Sequence, residues 1–192
     1  MKLRKNQILF YSILFIVTLV TKIICAPKIG MSGFSAIFSV ALFGGMISQE
    51  NKIGIIMPVL VLLMTDVVLQ VLYVGGLFPF AGFYKGQTTI YALTLLLTLF
   101  GVILSKPKVS RLITGVIAGP TLFFLASNFL VWSKNGGLGY TRDLNGLMTC
   151  YTAALPFYKN SLIATMIFLP SFAYLYNRIV LGSKALATVK TK

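Results

Sequence analysis

An all-α membrane fold, a bundle of six transmembrane helices, is the class this chain predicts. Three observations lead to it: 57% of the 192 residues are hydrophobic, only 10% are charged, and the apolar residues fall in long runs parted by short basic or Gly/Pro-rich connectors. At a mean hydropathy of +0.90 there is too little polar side chain to clothe a water-soluble globule of this length. Each run of about 17–25 residues suffices to cross a hydrocarbon layer about 30 Å thick.

The first run, Ile8 to Ile24, follows the basic cluster Lys2, Arg4 and Lys5 and precedes Cys25, Ala26 and Pro27. It is longer than the apolar region of a secretory leader, and Pro27 makes a poor cleavage context, so it reads as an uncleaved signal-anchor helix. The second run, Ser32 to Ser48, is rich in small residues. The tight connector Gln49 to Lys52 returns the chain into the third, Ile53 to Tyr73, as a helical hairpin. A Gly/Phe/Pro-rich loop, Val74 to Gly86, leads to the fourth run, Gln87 to Ser105, and the basic connector Lys106 to Arg111 leads to the fifth, Leu112 to Trp132. The longest connection, Ser133 to Asn160, is polar, Gly-rich and aromatic. Its later part, Leu147 to Phe157, is too short to span and is expected to re-enter the membrane or lie on it. The sixth run is Ser161 to Leu181. No internal repeat or linker divides residues 1–192, which form one domain in this reading.

The formal charge of +14 arises from 17 Lys and Arg against 3 Asp and Glu. In a soluble protein it would point to nucleic acid. Here the cations stand at the ends of apolar runs, where they anchor helices and meet anionic lipid, so no nucleic-acid partner is expected. Counted on alternate sides of six spans, eleven lie on the side of Lys2, Lys52, Lys106, Lys108, Arg111 and Arg178, and six on the side of Lys22, Lys28, Lys85, Lys134, Arg142 and Lys159. The richer side is cytoplasmic by the positive-inside rule, placing both termini inside and the 133–160 loop outside.

Enzyme signatures are missing: the chain has no His, no Walker loop and no CxxC pair, and three carboxylates serve all acid–base needs. The reading is therefore not an enzyme, with no cofactor and no metal site. Asp66 is the most informative residue, because an acid inside an apolar run is costly unless paired or wetted. Either it serves function or it makes a structural ion pair with Lys85, Lys22 or Arg142. Gln70 and Tyr73 continue a polar stripe from it along the same helical face. The fifth run becomes polar at the same depth, at Ser127, Asn128 and Trp132, and the fourth opens with Gln87, Thr88 and Tyr91. Converging polar groups at one depth predict a pocket open to the outside. The candidate solute-binding residues are Asp66, Gln70, Asn128, Trp132, Tyr140 and Tyr151, with the Ser133 to Asn160 loop as a lid hinged at Gly136, Gly137 and Gly139.

Gly115 and Gly119 form a GxxxG step in the fifth run, and Ser32/Ala36 and Ser35/Ser39 form small-xxx-small steps in the second, all suited to close helix packing. Pro58, Pro120 and Pro170 fall within runs and can bend them. Cys25 and Cys150 share the predicted outer side; buried free thiols, a disulfide, and a soft metal ligand at Cys150 are the readings open.

The segment Gly-Pro-Thr-Leu-Phe-Phe-Leu-Ala-Ser-Asn-Phe-Leu-Val-Trp at 119–132, then Tyr140, Gly146-Leu147 and Cys150-Tyr151-Thr-Ala-Ala-Leu-Pro-Phe-Tyr-Lys-Asn160, resembles an uncharacterised family of small bacterial six-span membrane proteins labelled as transport proteins. Ala41-Leu-Phe-Gly-Gly45, Pro58 and Asp66 fit the same pattern. In size, span count and outward loop the chain also looks like the substrate-binding S components of energy-coupling-factor (ECF) vitamin transporters, although Ile8 to Ile24 lacks the Ala-xxx-Ala step by which those commonly dock their partner. These resemblances imply an S-component-like bundle in the bacterial inner membrane that takes up a small vitamin-like solute. The partners implied are an ECF-type transmembrane subunit and its ATPases. A solitary carrier coupled to ions through Asp66, and a membrane scaffold or assembly factor, are the alternatives.

Overall fold

The computed structural model describes residues 5–49, 52–134 and 139–182. The described residues form an all-α bundle of six helices, α1 Lys5–Cys25, α2 Ile37–Met46, α3 Ile53–Val74, α4 Gln87–Leu104, α5 Val109–Ser133 and α6 Leu144–Tyr176. A 3₁₀ turn at Ile29–Met31 follows α1, and a π turn at Asn177–Leu181 extends α6. Five of the helices, all but α2, are long and apolar enough to cross a membrane. Their outward faces carry large apolar side chains such as Ile16, Ile56, Leu96, Ile117 and Ile167. A surface of that kind is stable only against lipid, and the chain is a polytopic membrane protein.

Successive helices alternate in direction, and the two described ends of the chain meet at one end of the bundle. There Asn6 Nδ2 donates to the Ile179 carbonyl at 2.7 Å, and Phe10 packs edge-on against Tyr176 with ring centroids 5.3 Å apart. The connectors that carry Lys52, Lys106 and Lys108, and Arg111 in the first turn of α5, lie at this same end. The α1–α2, α3–α4 and α5–α6 connections lie at the other, here termed the loop end.

The expected second span is corrected to a ten-residue helix, α2, about 15 Å long. The apolar run that suggested a full span continues back to Ser32, but its first residues spend their carbonyls on α6 instead of on a helix. Asn160 Nδ2 donates to the carbonyls of Gly30 and Ser32 at 2.9 and 2.8 Å, and Ser161 Oγ donates to that of Gly33 at 3.0 Å. Gly33 adopts φ +87°, and a Cβ there would stand 2.6 Å from the Phe157 carbonyl oxygen. Only Gly allows both that backbone sign and that approach.

Within α2 nine of ten residues are buried, so it is the core of the bundle and not a lipid-facing span. It packs chiefly on α4, then on α3 and α6. Gly45 faces the Thr98 carbonyl, Gly101 faces the Leu42 carbonyl, and Gly44 faces Gly54 of α3, each so closely that a Cβ would overlap backbone. These contacts are van der Waals packing between backbones, which small residues permit and which holds helices together where lipid weakens the hydrophobic drive. The sequence-predicted step at Gly115 and Gly119 packs too, on side chains: Gly115 meets Leu169 and Met46, and Gly119 meets Leu42.

The expected outer loop, 133–160, is the second correction. Asp143 caps a helix, accepting the Gly146 N–H at 2.8 Å, and α6 then runs unbroken for 33 residues, about 50 Å, through Pro156 and Pro170. Leu147 to Phe157 is thus helix, neither a re-entrant segment nor a lid. Its polar residues do not interrupt it because they satisfy themselves locally: Thr149 and Thr152 return their hydroxyls to the carbonyls of Asn145 and Met148. Gly136 and Gly137, proposed hinges, lie outside the described residues. Cys25 and Cys150 are free and buried.

Candidate functional site

Asp66 stands about 20 Å along α3 from its start and is only 1% exposed. α1 runs beside α3 in the same direction, which brings Lys22, from the last turn of α1, level with it. Lys22 Nζ donates to Asp66 Oδ1 at 2.6 Å. α4 enters at the loop end through Gly86, at φ +99°, and its first turn faces the other carboxylate oxygen: Gln87 Nε2 and Tyr91 OH both donate to Oδ2, the latter at 2.9 Å. Three helices therefore converge on one buried carboxylate, and both its oxygens are satisfied. A buried charge needs that paired and hydrogen-bonded setting.

The α3–α4 connection folds back over this cluster. Gly82 lies against the Asp66 carbonyl with no room for a side chain, and Gln70 Oε1 accepts the Phe83 N–H at 3.1 Å. Tyr84 stands beside Asp66. Its hydroxyl is pushed above the usual tyrosine range by desolvation first and by the Asp66 carboxylate second, although more than half of the whole residue remains exposed. The local packing at the hydroxyl governs its proton, so the phenol stays a hydrogen-bond donor at neutral pH.

Two cavities flank the ion pair. One, of about 480 Å³, lies under the α3–α4 connection and includes Asp66, Tyr73, Phe78 and Phe80 among its walls. The other, of about 430 Å³, reaches from Lys22 and Gln87 across to α5 and α6. Its walls include Phe38, Phe123, Phe124, Asn128 and Phe157. The Phe38 and Phe123 rings lie 4.4 Å apart, and Phe124 lies 4.8 Å from Tyr158. Apolar aromatic walls with a few polar groups set among them are the usual make-up of a small-molecule site.

The structure places the sequence-predicted residues unevenly around these cavities. Asp66 and Asn128 line one each. Gln70 instead holds the α3–α4 connection. Trp132 Nε1 donates to the Thr141 carbonyl at 2.9 Å and Tyr151 OH to the Leu125 carbonyl at 2.9 Å, so the first ties α5 to the α5–α6 connection and the second ties α6 to α5, and Tyr140 is partly exposed in that connection. None of these four is among the wall residues of either cavity. The Asp143 cap belongs to the same connection: the Gly146 N–H and then the Thr141 hydroxyl hold its carboxyl below the usual range. Lys22, Gln87 and the phenylalanine walls were not on the sequence-based list. A signal for Lys22 existed, as the one charge inside the first apolar run, but a lysine near a helix end reads first as an interfacial anchor.

Among the described residues no group of three or more His, Cys, Asp or Glu side chains comes together to hold a metal. Residues 2–186 match the model of a family described as a family of unknown function (DUF6580). No curated protein and no solved structure matches the chain significantly.

Proposed function

We propose, for a chain that belongs to the DUF6580 family, a role as a membrane transport protein, not an enzyme, that captures a small amphipathic solute at the loop end and mediates its uptake. The observation that carries this reading is the cavity of about 430 Å³ with aromatic walls and polar groups at Lys22 and Gln87. Energy would come from ATPases engaged through an ECF-type transmembrane partner, with this chain as the S-component-like subunit. The buried Lys22–Asp66 pair favours a second reading, a solitary carrier in which Asp66 exchanges its lysine for a coupling ion.

Ser127 lines the same cavity from α5, and a Trp at that position would obstruct it. Protein purified from its native membrane is expected to carry a small molecule at near one-to-one ratio, detectable by mass spectrometry after solvent extraction, and Ser127→Trp should lose it while keeping its yield. Equal carriage by both proteins would move the solute elsewhere. Absence of any bound compound from wild type would favour the scaffold reading. Retention of an ATPase pair on gentle purification separates the two energy sources.

The cation-rich end, with both termini, is cytoplasmic in this reading. In a Cys-free background, a single Cys at position 142 should react with a membrane-impermeant maleimide in intact cells, and one at position 108 only after the membrane is opened. The reverse pattern would invert the orientation.

A further inference from the structure

The aromatic-walled cavity of about 430 Å³ holds an unusual pair of polar groups. The Asp66 carboxylate fixes the orientation of the Gln87 amide, since only its NH₂ can face two acceptors, Asp66 Oδ2 and the Tyr91 oxygen. Gln87 Oε1 is thereby turned away from the carboxylate. It is buried and finds no hydrogen-bond partner among the described residues, on a residue 7% exposed that lines the cavity. Such an acceptor is costly unless a donor reaches it. The other oxygen of the same carboxylate takes the Lys22 ammonium, which has three N–H donors and gives one to Asp66 Oδ1. Lys22 also lines the cavity.

Charge settles what those groups can take. The ammonium is already matched by the Asp66 carboxylate, so a ligand carrying a full charge would leave an unmatched charge in a low-dielectric site, at a high cost. A neutral ligand that offers a donor and an acceptor side by side satisfies both groups without that cost. The planar N–H/C=O edge of a lactam meets this need, with its N–H on Gln87 Oε1 and its carbonyl on Lys22. The flat remainder of the ring would lie among Phe38, Phe123 and Phe124, where aromatic surfaces stack.

We infer that the cavity selects a neutral, planar heterocycle through a lactam edge read by Gln87 and Lys22. This deepens the solute-binding reading above and rests on it. The test uses three probes of one size on the full chain in lipid nanodiscs: 2-quinolone, N-methyl-2-quinolone, which lacks the donor, and quinoline-2-carboxylate, which is anionic. By calorimetric titration, 2-quinolone should bind on the order of 10- to 100-fold more tightly than the N-methyl compound, as expected when a buried acceptor is left unpaired. In Gln87→Leu that gap should close, while Tyr91 still donates to Asp66 Oδ2. Equal binding of the lactam and its N-methyl form, or preference for the carboxylate, would overturn the lactam edge yet leave a solute site standing. Binding of none of the three would overturn it as well, and the compound carried by native protein would then report separately on the cavity.

Discussion

Gly101→Leu is expected to prevent recovery of folded protein. The Cα of Gly101 sits against the Leu42 backbone and within reach of Gly45, and even a methyl group there would overlap the Leu42 carbonyl. α2 cannot retreat, because nine of its ten residues are enclosed and Gly44 is pressed on Gly54 behind it. Overpacking a core that can relax costs about 1–3 kcal/mol, and here, backbone against backbone, about 3 kcal/mol or more is expected. Size-exclusion profiles in mild detergent should show aggregate for Gly101→Leu and a normal peak for Gly30→Leu, whose added Cβ meets nothing within 4 Å among the described residues. Similar monodisperse peaks for both would mean that the α2–α4 approach is looser than described.

Asp66→Leu should be the most damaging change at the polar cluster. It strands the Lys22 ammonium and the donors of Gln87 and Tyr91 together. Removing one partner of a buried pair costs about 3–5 kcal/mol; with the Lys22 side chain 23% exposed, a value near the lower end is expected. The double variant Lys22→Met/Asp66→Leu should regain stability over Asp66→Leu alone, because no stranded charge remains. A coupling on the order of 1–3 kcal/mol in thermal unfolding of wild type, Lys22→Met, Asp66→Leu and the double variant is the expected result. Strict additivity would show that the two side chains do not share an ion pair in the membrane.

How far the sequence could be read follows from which signals are local. Asp66 was legible because an acid within an apolar run has few physical excuses. Its partner was named only among three candidates, since the pairing spans 44 residues and depends on α1 and α3 lying parallel. Asn128 was placed by depth and lines a cavity. Trp132, one turn beyond, shares its helix face but lies past the cavity and bonds to Thr141. The polar face of a helix is thus readable where the depth at which a cavity ends along it is not. Hydropathy overstated α2, because an apolar run does not reveal where carbonyls are taken by Asn160 and Ser161. It understated α6, because Thr residues that bond within their own helix, and an Asn160 that bonds across to Gly30 and Ser32, look like loop.

The enclosure of α2 also bears on biogenesis. At about 15 Å it covers only half of the hydrocarbon layer, and its best partner is made later: about 60 residues separate Leu42 from Gly101. At synthesis rates of about 5–20 residues per second, α2 waits roughly 3–12 s for α4. During that interval it has neither the length of a free-standing span nor its glycine-lined berth, so it depends on the insertion machinery or on α1 and α3 to shelter it. The growing chain is then most exposed to quality-control proteolysis, and a defect at Gly45 or Gly101 would show first as rapid turnover of the nascent protein.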